Sequence, residues 1–148
     1  MTEVSTTGPT VAPMIPPGIA PGIASVLDAL CFDANGLVPA IAQQHDTGEV
    51  LMMAWMNKDA VVETLTTGRV CYWSRSRGRL WRKGETSHQF QHLKEFRIDC
   101  DGDTILLLVE QEGVACHTGR RACFFRAVRD GALVEIAAPL IDPEKLYG

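Results

Sequence analysis

The amino-acid sequence predicts a small, mainly β, α+β-like domain of antiparallel β-sheets with one clear helix. Three observations carry that expectation. Short apolar runs such as EVLMMAWM (49–56) and TILLLVEQ (104–111) recur along the chain, bounded by turn residues. A single stretch, NKDAVVETLTTG (57–68), combines helical spacing with a start and a stop signal. Late in the chain, Asp130-Gly131 divides two further runs as a hairpin turn would.

Taken in order, residues 1–24 (MTEVSTTGPTVAPMIPPGIAPGIA) are rich in Pro, Gly, Thr and Ala and offer little to bury. They are expected to form a flexible leader, with a single domain over 25–148. LVPAIAQ (37–43) and EVLMMAWM, joined through a TGE turn, read as a hairpin. In the helical stretch, the Asn57 side chain can accept a free N–H of the first turn. Ala60, Val61 and Leu65 share a face, and Gly68 suits the left-handed residue that ends a helix. VCYWSR (70–75) and RLW (79–81) read as strands around an Arg-rich turn. LKEFRID (93–99) and TILLLVEQ follow as strands with DCDGD turning between them, and CFFRAVRD and ALVEI make a last hairpin. Strand order does not follow from these patterns.

With 148 residues the chain can bury one ordinary core. A net charge of −4 argues against nonspecific nucleic-acid binding, which uses clearly basic surfaces. No apolar run approaches the roughly 20 residues of a membrane helix. The first residues lack the basic start and apolar centre of a signal peptide, so a cytoplasmic protein is expected. There, the five cysteines read as thiols or metal ligands rather than a disulfide framework.

The densest chemistry lies in DCDGDT (99–104). If the segment is extended, Asp99, Asp101 and Asp103 share one side, because strand side chains repeat every second residue. Three converging carboxylates repel unless a cation sits among them, and hard oxygen donors favour Mg²⁺, Mn²⁺ or Ca²⁺. The competing reading is a solvated acidic turn. Cys100 would then face the other side. Cys116 and Cys123, in ACHTGRRACF, do not follow zinc-finger spacing. Three cysteines beside His117 nonetheless suit a zinc with one open coordination position, the arrangement of a catalytic site. Alternatively, Cys100 and Cys123 are small buried residues at strand ends. Cys31 and Cys71 have no such company and read as core or incidental thiols. SRSRGRLWRKGETS (74–87) concentrates basic residues, and Arg120 and Arg121 flank the later cysteines. Trp73 and Trp81 read either as core aromatics or as stacking surfaces for a base.

The segments FDANGLVPAIAQ, TGEVLMMAWMN, YWSRSRGRLWRKGETS, RIDCDGDT and ACHTGRRACFF are similar, in order and spacing, to phosphoribosyl-AMP cyclohydrolase. That family opens the adenine ring in histidine biosynthesis, and the similarity runs from about Phe32 to Phe125. It implies that Asp99, Asp101 and Asp103 bind Mg²⁺. It also implies that Cys100 ligates zinc with Cys116 and Cys123 of the other subunit of an intertwined homodimer. The implied reaction is hydrolysis of the N1–C6 bond of 1-(5-phosphoribosyl)-AMP, with His117 handling the proton. For the two phosphates of that small-molecule substrate, the resemblance points to Ser74, Arg75, Arg77, Lys83 and Thr86, since Arg forks suit phosphate oxygens. Glu85 is a candidate to orient a base.

Two departures stand out. After GETS the family usually reads Gly-His-x-Gln, whereas this chain has His88-Gln89-Phe90-Gln91. Either His88 substitutes for the displaced histidine, or Gln89 takes its place by hydrogen bonding. Ala122 stands before the last cysteine where serine is usual, removing a hydroxyl from a zinc thiolate. Too little chain follows Phe125 for the pyrophosphate-hydrolysing domain found in many relatives, so a monofunctional protein is expected. The alternative function is a noncatalytic, zinc-stabilised binding module. A nucleobase deaminase is disfavoured because no cysteine pair is spaced by two.

Overall fold

In the computed structural model, which describes residues 21–146, helix α1 (Pro21–Ala29) leads into β1 (Val38–Gln44) and β2 (Val50–Met56). Helix α2 (Lys58–Thr67) follows, then β3 (Cys71–Ser74), β4 (Arg79–Arg82), β5 (Gln91–Ile98) and β6 (Ile105–Gln111). The hairpin β7 (Arg126–Arg129) and β8 (Ala132–Glu135) and a short α3 (Pro143–Leu146) complete the chain. Six strands form one sheet in the order β4-β3-β2-β1-β6-β5, and β7-β8 form a second. The α+β class and the mainly β character are as the sequence predicts. No helix among the described residues is long and apolar enough to cross a membrane.

Period-two patterning builds the centre. In β1 and β6 every second residue is buried, with Val38, Ala40 and Ala42 facing the core beside Ile105, Leu107 and Val109. These two strands pair in parallel, Ala40 opposite Ile105, whereas the expected sheets were antiparallel throughout. The long excursion through α2 and β3–β5 supplies the crossover that a parallel pair requires. A bridge between Arg69 and His92 ties the entry to β3 onto β5. Val70 donates to the Gln91 carbonyl and Leu93 to that of Gly68, so the sheet curls back on itself. The core of Leu51, Met56, Val61, Val70, Tyr72 and Leu107 fills the curl.

Helix α2 forms as its sequence signals require. Asn57 accepts the Ala60 N–H at 2.9 Å, and Gly68 closes the helix at φ 77° with its N–H on the Thr64 carbonyl. Helix α1 was not expected. It begins inside the stretch read as leader, starting with a proline that a first helical turn tolerates. Leu27 and the following Leu30 anchor it to the core. Residues 1–20, the rest of that stretch, lie outside the described residues.

Candidate active site

The turn between β5 and β6 gathers the three aspartates. It is not an extended segment with alternating faces. The Asp99 carbonyl accepts from Gly102, and the Asp99 N–H donates to the Thr104 carbonyl, closing a tight loop. The carboxylates of Asp99, Asp101 and Asp103 nevertheless lie within 4.8 Å of one another, all exposed. Burial alone would raise the Asp99 carboxyl, but N–H groups of Asp103, Thr104 and Gly102 outweigh it and hold it below the usual range. Its hydrogen bond to Asp103, and the charge behind it, push Asp103 upward. Such crowded hard oxygens fit a divalent cation of the Mg²⁺ class. Cys100, within this turn, is exposed.

The cysteine loop leaves from the other end of β6. Cys116 is buried, its sulfur 3.0 Å from Thr118 Oγ1, and Cys123 is half-buried on the same loop. Burial, then the charge and hydrogen bond of Cys116, push the Cys123 thiol up to about 12. Cys123 is pinned by its N–H to the Leu51 carbonyl at 2.7 Å. Two soft sulfurs side by side suit zinc. His117, next to Cys116, is exposed and its ring makes no hydrogen bond among the described residues. Cys100 does not join Cys116 and Cys123 in any three-residue donor group within 4.8 Å. The seven residues of β6 separate the acid turn from the start of the cysteine loop by roughly 20 Å along the strand.

The loop is held by groups that sequence reasoning largely passed over. Arg121 donates to the carbonyls of Gln111 (3.2 Å) and Gly113 (2.6 Å) and to Gln44 Oε1 (2.9 Å). Gln89 Oε1 accepts from the Val114 N–H at 2.9 Å. Hence Gln89, rather than His88, reaches the loop. A buried chain continues inward: Gln111 Oε1 accepts from Gln91, and Gln91 Oε1 accepts from the Tyr72 hydroxyl at 2.7 Å. The available signal was glutamine at the buried ends of alternating strands, Gln44 on β1 and Gln111 on β6.

The basic segment divides. Ser74, Arg75 and Arg77 share the β3–β4 turn, where Arg77 N–H donates to Ser74 Oγ at 3.2 Å. Arg75 lies 4.7 Å over the Trp55 ring, and both arginines are exposed, as is Thr86 farther along. Lys83 is not with them. It is 5% exposed and its ammonium donates to the Ala115 carbonyl at 2.6 Å, beside the cysteines. Trp81 packs against Tyr72 with centroids 5.5 Å apart, and Trp73 pairs across the sheet with Trp55. Arg82 forks onto Glu63 at 2.6 and 2.9 Å. Lys83, Arg82, Arg69, Phe90 and Glu85 border a cavity of about 380 Å³. Of the other thiols, Cys71 is buried, which pushes its pKa up to about 12, whereas Cys31 is exposed.

Comparison with known proteins bears on this arrangement. The family model for phosphoribosyl-AMP cyclohydrolase matches residues 52–125. The phosphoribosyl-AMP cyclohydrolase of Rhodospirillum centenum is 69% identical over 128 residues, covering 84% of this chain and 96% of that protein. Those of Granulibacter bethesdensis and Halorhodospira halophila are 65% and 62% identical, again over 84% of this chain, covering 98% and 88% of their own lengths. The matched region holds the acid turn, the cysteine loop and the basic turn together, and on this similarity the chain belongs to the phosphoribosyl-AMP cyclohydrolase family.

Proposed function

We propose that this protein hydrolyses 1-(5-phosphoribosyl)-AMP at the N1–C6 bond of its purine ring, as a step of histidine biosynthesis in the cytoplasm. The observation that carries the reading is the pairing of Cys116 and Cys123 beside an unencumbered His117, in a chain of this family. Cys100, Cys116 and Cys123 would hold zinc, and Asp99, Asp101 and Asp103 a Mg²⁺ ion. Zinc in such a set lowers the pKa of water from 15.7 towards about 7, making it a nucleophile at neutral pH.

The chain's own residues have the remaining tasks. The phosphoribosyl group on N1 makes the ring cationic and C6 electrophilic before anything binds it. His117 takes the proton as the water oxygen bonds to C6, and returns it as the C6–N1 bond breaks. Oxygen stays on C6 as a carboxamide and N1 departs within the formimino group, so one water is consumed. Ser74, Arg75, Arg77 and Thr86 bind phosphate oxygens. The arginines suit this because they are exposed and their forked donors match phosphate geometry.

The protein acts as a homodimer whose sites are shared, with Cys100 supplied by one chain and Cys116 and Cys123 by the other. The placement of Cys100 beyond the opposite end of β6 from Cys116 supports that reading. The test is a ring-opening assay with 1-(5-phosphoribosyl)-AMP, following the product's near-ultraviolet absorbance. We expect turnover in the intact protein, loss of at least about 10²-fold in Cys116→Ala and His117→Ala, and loss on complete zinc removal with recovery on readdition. Full activity after zinc removal would contradict the mechanism. A folded, zinc-bound protein without turnover would instead identify a noncatalytic zinc-stabilised module.

A further inference from the structure

We infer that Lys83 is the charge partner and anchor of the Cys116–Cys123 pair, a positioning residue for the metal-binding loop and not a phosphate ligand. The inference rests on the zinc reading above and concerns how the chain prepares for that ion. Lys83 is the one lysine or arginine buried among the described residues. Its backbone N–H donates to the Val70 carbonyl at 3.1 Å, which fixes where its stem begins. Its ammonium crosses to the cysteine loop, donates to the Ala115 carbonyl at 2.6 Å, and lies 5.3 Å from the centre of the Trp81 ring. Ala115 directly precedes Cys116, so this bond holds the backbone that aims the sulfur.

Charge balance points the same way. A buried ammonium is costly unless an anion or several acceptors face it. Among the described residues Lys83 forms no ion pair with a carboxylate. Its ammonium is bound instead to the carbonyl of Ala115, the residue before Cys116, which sets it beside the loop that carries both thiols. A zinc ion with three thiolates has a net charge of −1, and the ammonium would offset it. By contrast, Arg75 and Arg77 are open to solvent, as groups meeting an incoming phosphate should be.

The test uses the full chain with Lys83→Met, Lys83→Gln and Lys83→Arg. Zinc affinity is read by competition with a chromophoric chelator, Zn²⁺ alone being the probe, and the melting of metal-free protein serves as the fold control. Loss of a group supporting metal ligands typically costs 10–100-fold in affinity, so K83M should weaken zinc by about that factor at unchanged melting temperature. K83R should recover most of it, and K83Q, which keeps a donor for Ala115 without the charge, should fall between. With zinc saturating, KM for 1-(5-phosphoribosyl)-AMP should change little. Unaltered zinc affinity in K83M, or intact zinc affinity with KM raised about tenfold, would overturn the inference and restore Lys83 to the phosphates. If K83M does not fold, comparing K83Q with K83R decides the same point. Wild-type protein that binds no zinc defeats the underlying reading, whereas tight zinc in both wild type and K83M defeats only the role of Lys83.

Discussion

At Gly102 the backbone turns left-handed with φ of 74°, and a Cβ there would lie 2.5 Å from the carbonyl oxygen of Ala29. The Cys31 N–H donates to the Gly102 carbonyl at 2.7 Å, so the end of α1 and the acid turn brace one another. Gly102→Ala therefore meets both a conformational penalty and a backbone clash. We expect a loss of about 1–3 kcal/mol in stability, read by thermal or urea unfolding. Weaker Mn²⁺ binding at the aspartates, read by electron paramagnetic resonance, should accompany it. His88 presents the opposite case. It adopts φ of 63° at the position where the family pattern usually has glycine, which explains why glycine suits that position. The following Gln89 then takes the histidine's place in the pattern and secures Val114.

Among the elements, α2 shows how local signals suffice when side chain and backbone agree. Asn57→Ala removes the acceptor of the Ala60 N–H and should cost about 1 kcal/mol in unfolding free energy with turnover preserved. The strands were equally legible, because β1 and β6 are short apolar runs that end in glutamine and turn residues bound each run. Helix α1 was masked by prolines and glycines, its commitment coming from the burial of Leu27 rather than from local propensity. The parallel pairing of β1 with β6 was invisible for a related reason, since pairing partners far apart in sequence leave no local mark. At the site, the clustering of three aspartates was legible but its cause was not. The carboxylates converge through a hydrogen-bonded turn, not through strand alternation. Lys83 illustrates the remaining limit. The arginines of its segment, Arg75, Arg77, Arg79 and Arg82, are exposed, and only tertiary packing turns its ammonium inward.

At the scale of the whole molecule, the β7–β8 hairpin is almost entirely exposed, with only Ala127 half-buried. Val128, Leu133 and Leu140 are 73%, 64% and 71% exposed, with Phe124 and Ile136 also open. Val128 and Leu133 face one another across the hairpin, an exposed apolar pair that suits association, and a second copy of the chain is the occupant that the shared-site reading requires. Charging it with Val128→Glu and Leu133→Glu should convert dimer to monomer in sedimentation velocity and abolish turnover, while each chain still melts cooperatively. A monomer retaining full activity would contradict shared sites. The separation of the two sulfur sources by β6 has a thermodynamic consequence. If the third thiolate arrives only with a partner, metal uptake and chain association are linked equilibria. Whatever factor zinc adds to dimer affinity, dimerisation must return to zinc affinity. Scarce zinc would then dissolve the assembly, and dilute protein would release its metal.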